Sequence, residues 1–473
     1  YPIIKPLADG VSLTQDIIFQ KDSEQIITYI SIDLANKNVK IAPALAKDVV
    51  MTNDVLKGRE IVSAMVARKN ALAGINADYF PYTGDPLGLC IIDGEMVSEI
   101  FYGRSVAAIT DTNQVFFDIP TYRTSITLSN RISRQIDGIN RGRETNQVLL
   151  YTGRYGTHTM SKFKGTEIVI TPKEDILKIG TDIECIVNAV YENATNTVIP
   201  AGSWVLSSGG PAAWFLKENL KPGDTVVIRV DIGSTQGNDF SKVQQAVGGG
   251  PMLVKDSTVY VDWSAQGFND SFSNRRHPRT AIGVTKDNKL ILLTVDGRQS
   301  ISRGMTLQEL ANYMLKIGCV NAMNLDGGGS TSMSIGGWII NSPSEGSERP
   351  VANALLVYAK PQIYDTLDKL SFAAETNPMT FEIGAGIQQF LVWSDEAQML
   401  TDEQLSKIIW GTKGGVGFIN QQGYFTPTKE RKGKLGVMYG NQSAEIDIKV
   451  IKPVPIKEET PTPKPIENGL TVE

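Results

Sequence analysis

Cysteine and histidine are scarce in this chain. Three cysteines in 473 residues cannot build a full disulfide framework. Cys90 and Cys319 stand in apolar runs (P-L-G-L-C-I-I and K-I-G-C-V-N-A). Such settings do not stabilise a thiolate, so both read as small buried hydrophobes rather than nucleophiles. The two histidines, His158 and His277, are too few for a histidine-rich two-metal cluster. No run of about 18 apolar residues occurs, which excludes a membrane-spanning helix. Positive charge is not in excess either: 46 Lys and Arg face 51 Asp and Glu, a net charge of −5. Non-specific binding to nucleic acid needs the opposite balance. The chain also lacks an internal repeat.

What is present is an ordinary globular composition, 41% hydrophobic and 21% charged, on a chain long enough for two or three cores. From Lys452 the sequence runs K-P-V-P-I-K-E-E-T-P-T-P-K-P, an extended linker over 452–473. Such a linker suggests a further C-terminal module, for instance one that attaches the protein to a cell wall. Residues 361–451 read as a separable all-β sandwich. Ala444, Ile446, Ile448 and Val450 alternate with charged residues, and glycine-rich turns separate short strands. Residues 1–360 must then carry the function, as an α+β domain with a β-rich region at about 120–245. A helix is expected near 57–69. The chain opens at Tyr1, and its first residues lack the apolar core of a signal peptide. That fits a boundary imposed on a longer chain or a mature chain whose export signal has been removed.

The most informative stretch begins at Lys289. L-I-L-L-T-V reads as a strand buried on both faces and ends in Asp296-Gly297-Arg298. Thr306 and Glu309 form a capping box for a helix whose apolar positions are Leu307, Leu310, Ala311, Met314 and Leu315, with Gly318 as its stop. C-V-N-A-M-N-L is a second strand, ending in Asp326-Gly327-Gly328-Gly329-Ser330. A strand–helix–strand crossover within one sheet makes the two strands parallel. Asp296 and Asp326 would then share the carboxyl edge, where open α/β sheets bind ligands. One Asp-Gly after a strand is an ordinary turn; two at matched positions, one leading into three glycines, suggest backbone N–H groups near an anion. Upstream, His277 stands among Arg275, Arg276 and Arg279, an acid/base or anion-binding candidate. Asn76 and Asp78 end another strand, and Glu348, Arg349 and Asn353 precede a further one.

These segments resemble the phosphodiester glycosidase family. The motifs are G-I-N-A-D-Y-F and G-D-P-L-G-L-C-I-I-D-G-E-M-V, G-G-G-P-M-L-V at 248–254, H-P-R-T-A-I-G at 277–283, V-D-G-R-Q at 295–299, N-L-D-G-G-G-S-T-S-M at 324–333 and R-P-V-A-N-A at 349–354. The stretch G-F-I-N-Q-Q-G-Y-F-T-P in the C-terminal β unit resembles a bacterial immunoglobulin-like domain. The family resemblance implies a secreted or cell-surface hydrolase that cleaves a glycosyl phosphodiester at the anomeric C–O bond. Its sugar would be N-acetylglucosamine or a relative, on a glycopolymer or glycoconjugate. It places Asp296, Asp326, His277 and Arg279 in the chemistry. Asn76, Asp78, Thr280, Arg298, Asn324, Gly327, Gly328, Gly329, Ser330, Arg349 and Asn353 would surround the substrate. No metal ligand and no required cofactor is expected. A metal-dependent phosphodiesterase, with one Mg or Ca ion on Asp78, Asp296 and Asp326, is one competing reading. A non-catalytic carbohydrate-binding or wall-scaffold protein is the other.

Overall fold

The computed structural model describes residues 2–453, apart from 21–22, 365–366, 368, 375, 385 and 395–397. The linker expected beyond 453 lies outside the described residues. Strands dominate: 35 strands and five short α-helices occur among the described residues. That is more β than the α+β expectation for residues 1–360. The reason is topological, since antiparallel neighbours need only tight turns, whereas parallel neighbours need helical crossovers.

The first sheet has eight strands. Ser23–Asp33 pairs with Lys289–Val295, followed across the sheet by Arg279–Thr285, Cys319–Asn324 and Met252–Lys255. Arg279–Thr285 lies between the two strands that end in the aspartates and pairs antiparallel with both. The two are therefore parallel, as the crossover requires, but not adjacent. The connecting helix, Leu307–Lys316, starts at the expected capping box: Thr306 Oγ1 accepts from Glu309 N, and Glu309 reaches back to Thr306 N. It buries Leu307, Leu310, Ala311 and Met314 against the sheet, each large side chain stabilising by roughly 1.5–3 kcal/mol. The earlier helix spans only Val62–Arg68. Lys57 and Gly58 have positive φ and Glu60 bridges Val351 in extended form, so it cannot start at 57.

The β-rich region is an eight-stranded sheet built from strands between Thr121 and Gly233, whose core residues Ile126, Leu150, Ile170, Trp204 and Ile228 pack together with Leu89, Ile91, Val106 and Phe240 from outside it. All three cysteines are buried and unpaired. Burial pushes each thiol up to about 12.

A nine-stranded sheet crosses the expected boundary near residue 360. Its order runs Lys40–Leu45, Asn353–Tyr358, Ala73–Asn76, Met333–Ile335, Trp338–Ile339, Ile409–Lys413, Arg431–Tyr439, Gln442–Ile451 and Met379–Glu382. The C-terminal unit has its own core around Phe390, Trp410, Phe425, Ile446 and Ile448. It is nevertheless stitched to residues 1–360 by the pairing of Ile339 with Thr412. Trp338 is buried against the backbone at Gly411 and Gly436, with Lys413 Nζ 3.9 Å from its ring centre. Lys5 is also buried in this seam, donating to the carbonyls of Leu405 and Ile408, and burial lowers its pKa to about 7.

Truncation after Lys360 is therefore expected to destabilise what remains, by about 2–3 kcal/mol from the exposure of Trp338 alone. Urea unfolding of the truncated and full chains measures this; equal midpoints for the first 360 residues would show two independent units.

Candidate active site

Two sheets meet at the site. Asn76 ends the strand Ala73–Asn76 of the nine-stranded sheet, and Asp326 follows Cys319–Asn324 of the first sheet. Asn76 Nδ2 donates to the Asp326 carbonyl (2.6 Å), while its Oδ1 accepts from Thr280 Oγ1 (2.8 Å) and Ser332 N (3.1 Å). Asp326 N donates to the Ala77 carbonyl at 2.9 Å. Asn353 Oδ1 accepts from Asp78 N (2.9 Å), and Asn324 Nδ2 donates to Tyr79 Oη (2.8 Å) and the Gly250 carbonyl (3.0 Å). Asn76, Thr280, Asn324 and Asn353 are all fully buried. The structure thus sets these four residues one layer behind the open space, where they fix the backbone around it.

The open space is a cavity of about 480 Å³. From the expected set it is lined by Asp326, Gly327, Gly328, Gly329, His277, Arg279, Arg298 and Arg349; Tyr79, Leu87, Arg104, Gly267, Phe268, Asn269 and Phe272 complete its walls. Sequence reasoning missed this second group. Arg104 lies in an unremarkable turn, F-Y-G-R-S. Phe268 and Phe272 had one available signal, their i,i+4 spacing leading into the short helix Asp270–Asn274.

The three aspartates separate by position. Asp326 is half-buried and accepts from Gly327 N at 2.9 Å. Burial raises its carboxyl to about 6, opposed by Ser330, the Gly327 N–H and the charge of Arg349. Asp78 is buried outside the cavity lining. It accepts from Gly88 N and Tyr79 N, both at 2.7 Å, and burial raises it to about 7. A Cβ on Gly248 would stand 2.7 Å from Asp78 Oδ2, so glycine there permits the contact. Asp296 also stands off the lining. It accepts from Asn341 Nδ2 (3.0 Å) and Ser342 N (2.9 Å), and burial raises it to about 7. Asp296 and Asp326 end parallel strands of one sheet as expected, but only Asp326 faces the cavity.

Arginines set the electrostatics. Arg279 is 1% exposed, and it donates to the carbonyls of Met305 (2.8 Å), Phe272 (2.7 Å) and Arg275 (3.0 Å). It has no carboxylate partner among the described residues; Glu309 pairs instead with Arg276. Burial lowers the Arg279 pKa to about 10. A buried cation without a counter-ion is costly, and an arriving anion would offset that cost. Arg298 stands beside Gly328 and donates to His277 Nδ1. His277 Nε2 lies 3.2 Å from the Ser271 carbonyl, which fits a neutral ring protonated at Nε2. Burial and then the neighbouring arginines lower its pKa. Arg349 pairs with Glu345 and lies against Gly329, where a Cβ would strike both side chains.

The glycines serve close approach more than anion capture. Gly327 N is committed to Asp326 Oδ1 and Gly328 N to the Pro278 carbonyl. Ser330, another expected substrate ligand, is fully buried and off the lining. Among the described residues no group of three or more His, Cys, Asp or Glu side chains stands close enough to hold a metal ion. No described helix is long and apolar enough to cross a membrane.

Comparison with known proteins bears on this arrangement. Residues 177–358 match the phosphodiester glycosidase family, a span that includes Asp326 and three of the four cavity arginines but not Asn76, Asp78, Tyr79 or Arg104. The resemblance seen in the sequence motifs holds over that domain. An uncharacterized prophage-derived protein of Bacillus subtilis, YomE, is 42% identical over 108 residues, 23% of this chain and 16% of that protein. The bovine N-acetylglucosamine-1-phosphodiester alpha-N-acetylglucosaminidase is 36% identical over 110 residues, 21% of each chain. The alignments thus span about a fifth or less of these relatives' length. A hypothetical protein from Synechocystis shares the fold, with a TM-score of 0.60 and 22% identity over 74% of this chain and 62% of its own.

Asp296→Asn places an amide where two donors converge on a carboxylate. A loss of about 1–3 kcal/mol in folding stability is expected, read from the chemical unfolding midpoint. An unchanged midpoint would show that the Asn341 and Ser342 contacts contribute nothing.

Proposed function

We propose that this phosphodiester glycosidase domain hydrolyses a sugar phosphodiester at the anomeric C–O bond, releasing free sugar and a phosphate monoester. One observation carries the reading: a half-buried carboxylate, Asp326, stands in a cavity whose walls hold arginines, one of them buried without a counter-ion. Breaking the anomeric bond builds positive charge on the sugar, which a nearby carboxylate stabilises. The same step leaves negative charge on the phosphate, which guanidinium groups stabilise in a site shielded from water. Arg279, Arg298 and Arg349 would hold the phosphate, and His277 would orient Arg298 through its Nδ1. A phosphate monoester is a weak base, so it departs without a strong general acid. One carboxylate in the cavity is then enough. The attacking water gives its oxygen to the sugar and its proton to the departing phosphate. Asp296 becomes a positioning residue that fixes the segment carrying Asn341 and Ser342, and Asp78 another that fixes Tyr79 and Gly88.

The substrate class we infer is a glycopolymer or glycoconjugate carrying N-acetylglucosamine or a related sugar on phosphate, met outside the cell. The motif resemblance and the polar, arginine-lined cavity support it.

Asp326→Asn is nearly isosteric and removes the charge. Turnover should fall by more than about a hundredfold with the fold retained; a variant keeping a tenth of wild-type activity would remove Asp326 from the chemistry. The ionised form is the active one in this scheme, and the carboxyl sits near 6. Wild-type kcat/KM should therefore decline about tenfold per pH unit below that value.

Hydrolysis in water enriched in heavy oxygen should place the label on the anomeric oxygen of the released sugar and leave the phosphate monoester unlabelled. Label in the phosphate would mean attack at phosphorus, the chemistry of a phosphodiesterase.

A further inference from the structure

The cavity lining holds a fourth guanidinium, that of Arg104, with surroundings unlike those of the others. Arg298 and Arg349 stand against the glycine loop beside Asp326. Arg104 stands instead among aromatic rings. Its guanidinium carbon lies 4.3 Å from the ring centre of Phe268, 4.5 Å from Phe101 and 5.2 Å from Tyr79. Phe268 in turn stacks on Phe272, with ring centres 4.8 Å apart and an interplanar angle of 21°, and contacts Tyr79 at 5.5 Å. The Arg104 Nε is buried and has no hydrogen-bond partner, and no ion pair among the described residues includes Arg104. It lines the same cavity as Asp326.

Aromatic faces hold the cation but leave its N–H fork unused. An unsatisfied guanidinium edge on a cavity wall calls for a planar acceptor with two oxygens. In the proposed reading the phosphate already has Arg279, Arg298 and Arg349 as partners, which leaves Arg104 for a second anionic group. Of the rings beside Arg104, Phe268 is already covered by Phe272 and by Arg104 itself, and Tyr79 is left to take the apolar C–H face of a sugar.

We propose that the sugar half of the substrate carries its own carboxylate, as the uronic acid related to N-acetylglucosamine does, and that Arg104 binds it while the ring lies against Tyr79. This rests on the reading of the cavity as a sugar-phosphate site and names the class of sugar it takes.

Binding of α-glucuronic acid 1-phosphate and α-glucose 1-phosphate, measured by calorimetry on the full chain, tests the proposal. The wild type should bind the glucuronate about tenfold more tightly. Arg104→Met should bring the two ligands to equal affinity, and Arg104→Lys, which keeps the charge without the fork, should retain part of the preference. Equal affinities in the wild type would overturn the proposal and leave the sugar-phosphate reading standing. So would an Arg104→Met variant that weakens both ligands to the same extent, because Arg104 would then serve the phosphate. If Arg104→Met fails to fold, the wild-type preference and the Arg104→Lys variant decide. Binding of neither ligand to the wild type would overturn the proposal, because the carboxylate would then add no measurable affinity.

Discussion

The side chain of Asn76 ties the site together. Its amide bonds the Thr280 hydroxyl and two points of one loop, the Asp326 carbonyl and the Ser332 N–H. Asn76, Thr280 and that loop come from different parts of the chain, and two sheets would otherwise meet there with unpaired polar groups. A buried amide whose oxygen and nitrogen are both engaged is specific in a way that apolar contact is not. It fixes where Asp326 leaves its strand, and with it the direction in which the carboxylate points. Aspartate could not replace it, since it would offer no donor to the Asp326 carbonyl.

Around that anchor the charges are deliberately unequal. One acid faces the cavity, and four guanidinium groups line it. The surplus is tolerated in different ways. Arg279 is wrapped by backbone carbonyls, Arg104 by aromatic rings, Arg298 by a neutral imidazole, and Arg349 by the carboxylate of Glu345. Only the last of these neutralises charge. The cavity therefore presents a positive field to an anion, a form of electrostatic preorganisation.

Much of this was legible in the sequence, for physical reasons. The strand–helix–strand unit ending in Asp296 and Asp326 carried local signals, namely a capping box, a helical apolar period and unbroken apolar strands. Those signals depend on neighbours only a few residues away. Which side chains face the open space is a non-local matter. Asp296 and Asp326 have nearly the same local sequence, yet Asp296 turns to the Ser342 N–H and Asp326 to the cavity. Asn76, Thr280, Asn324 and Asn353 belong to the motifs and read equally well as ligands or as framework; only the packing of the two sheets decides. Arg104 had no local mark at all, since its importance comes from Tyr79 and Phe268, residues far from one another along the chain. The expected boundary near 360 coincides with a change of core, but a strand pairing between Ile339 and Thr412 leaves no trace in composition.

That pairing has a consequence for the order of assembly. The nine-stranded sheet places Lys40–Leu45 beside Asn353–Tyr358 and reaches on to Gln442–Ile451. A chain emerging from its N-terminus makes the Lys40–Leu45 strand hundreds of residues before its partner exists, so the eight-stranded sheet built between Thr121 and Gly233 can close first. Contacts this distant in sequence make folding slow. Until the last strands arrive, the early ones present unpaired edges, the condition under which a nascent β protein most needs a chaperone.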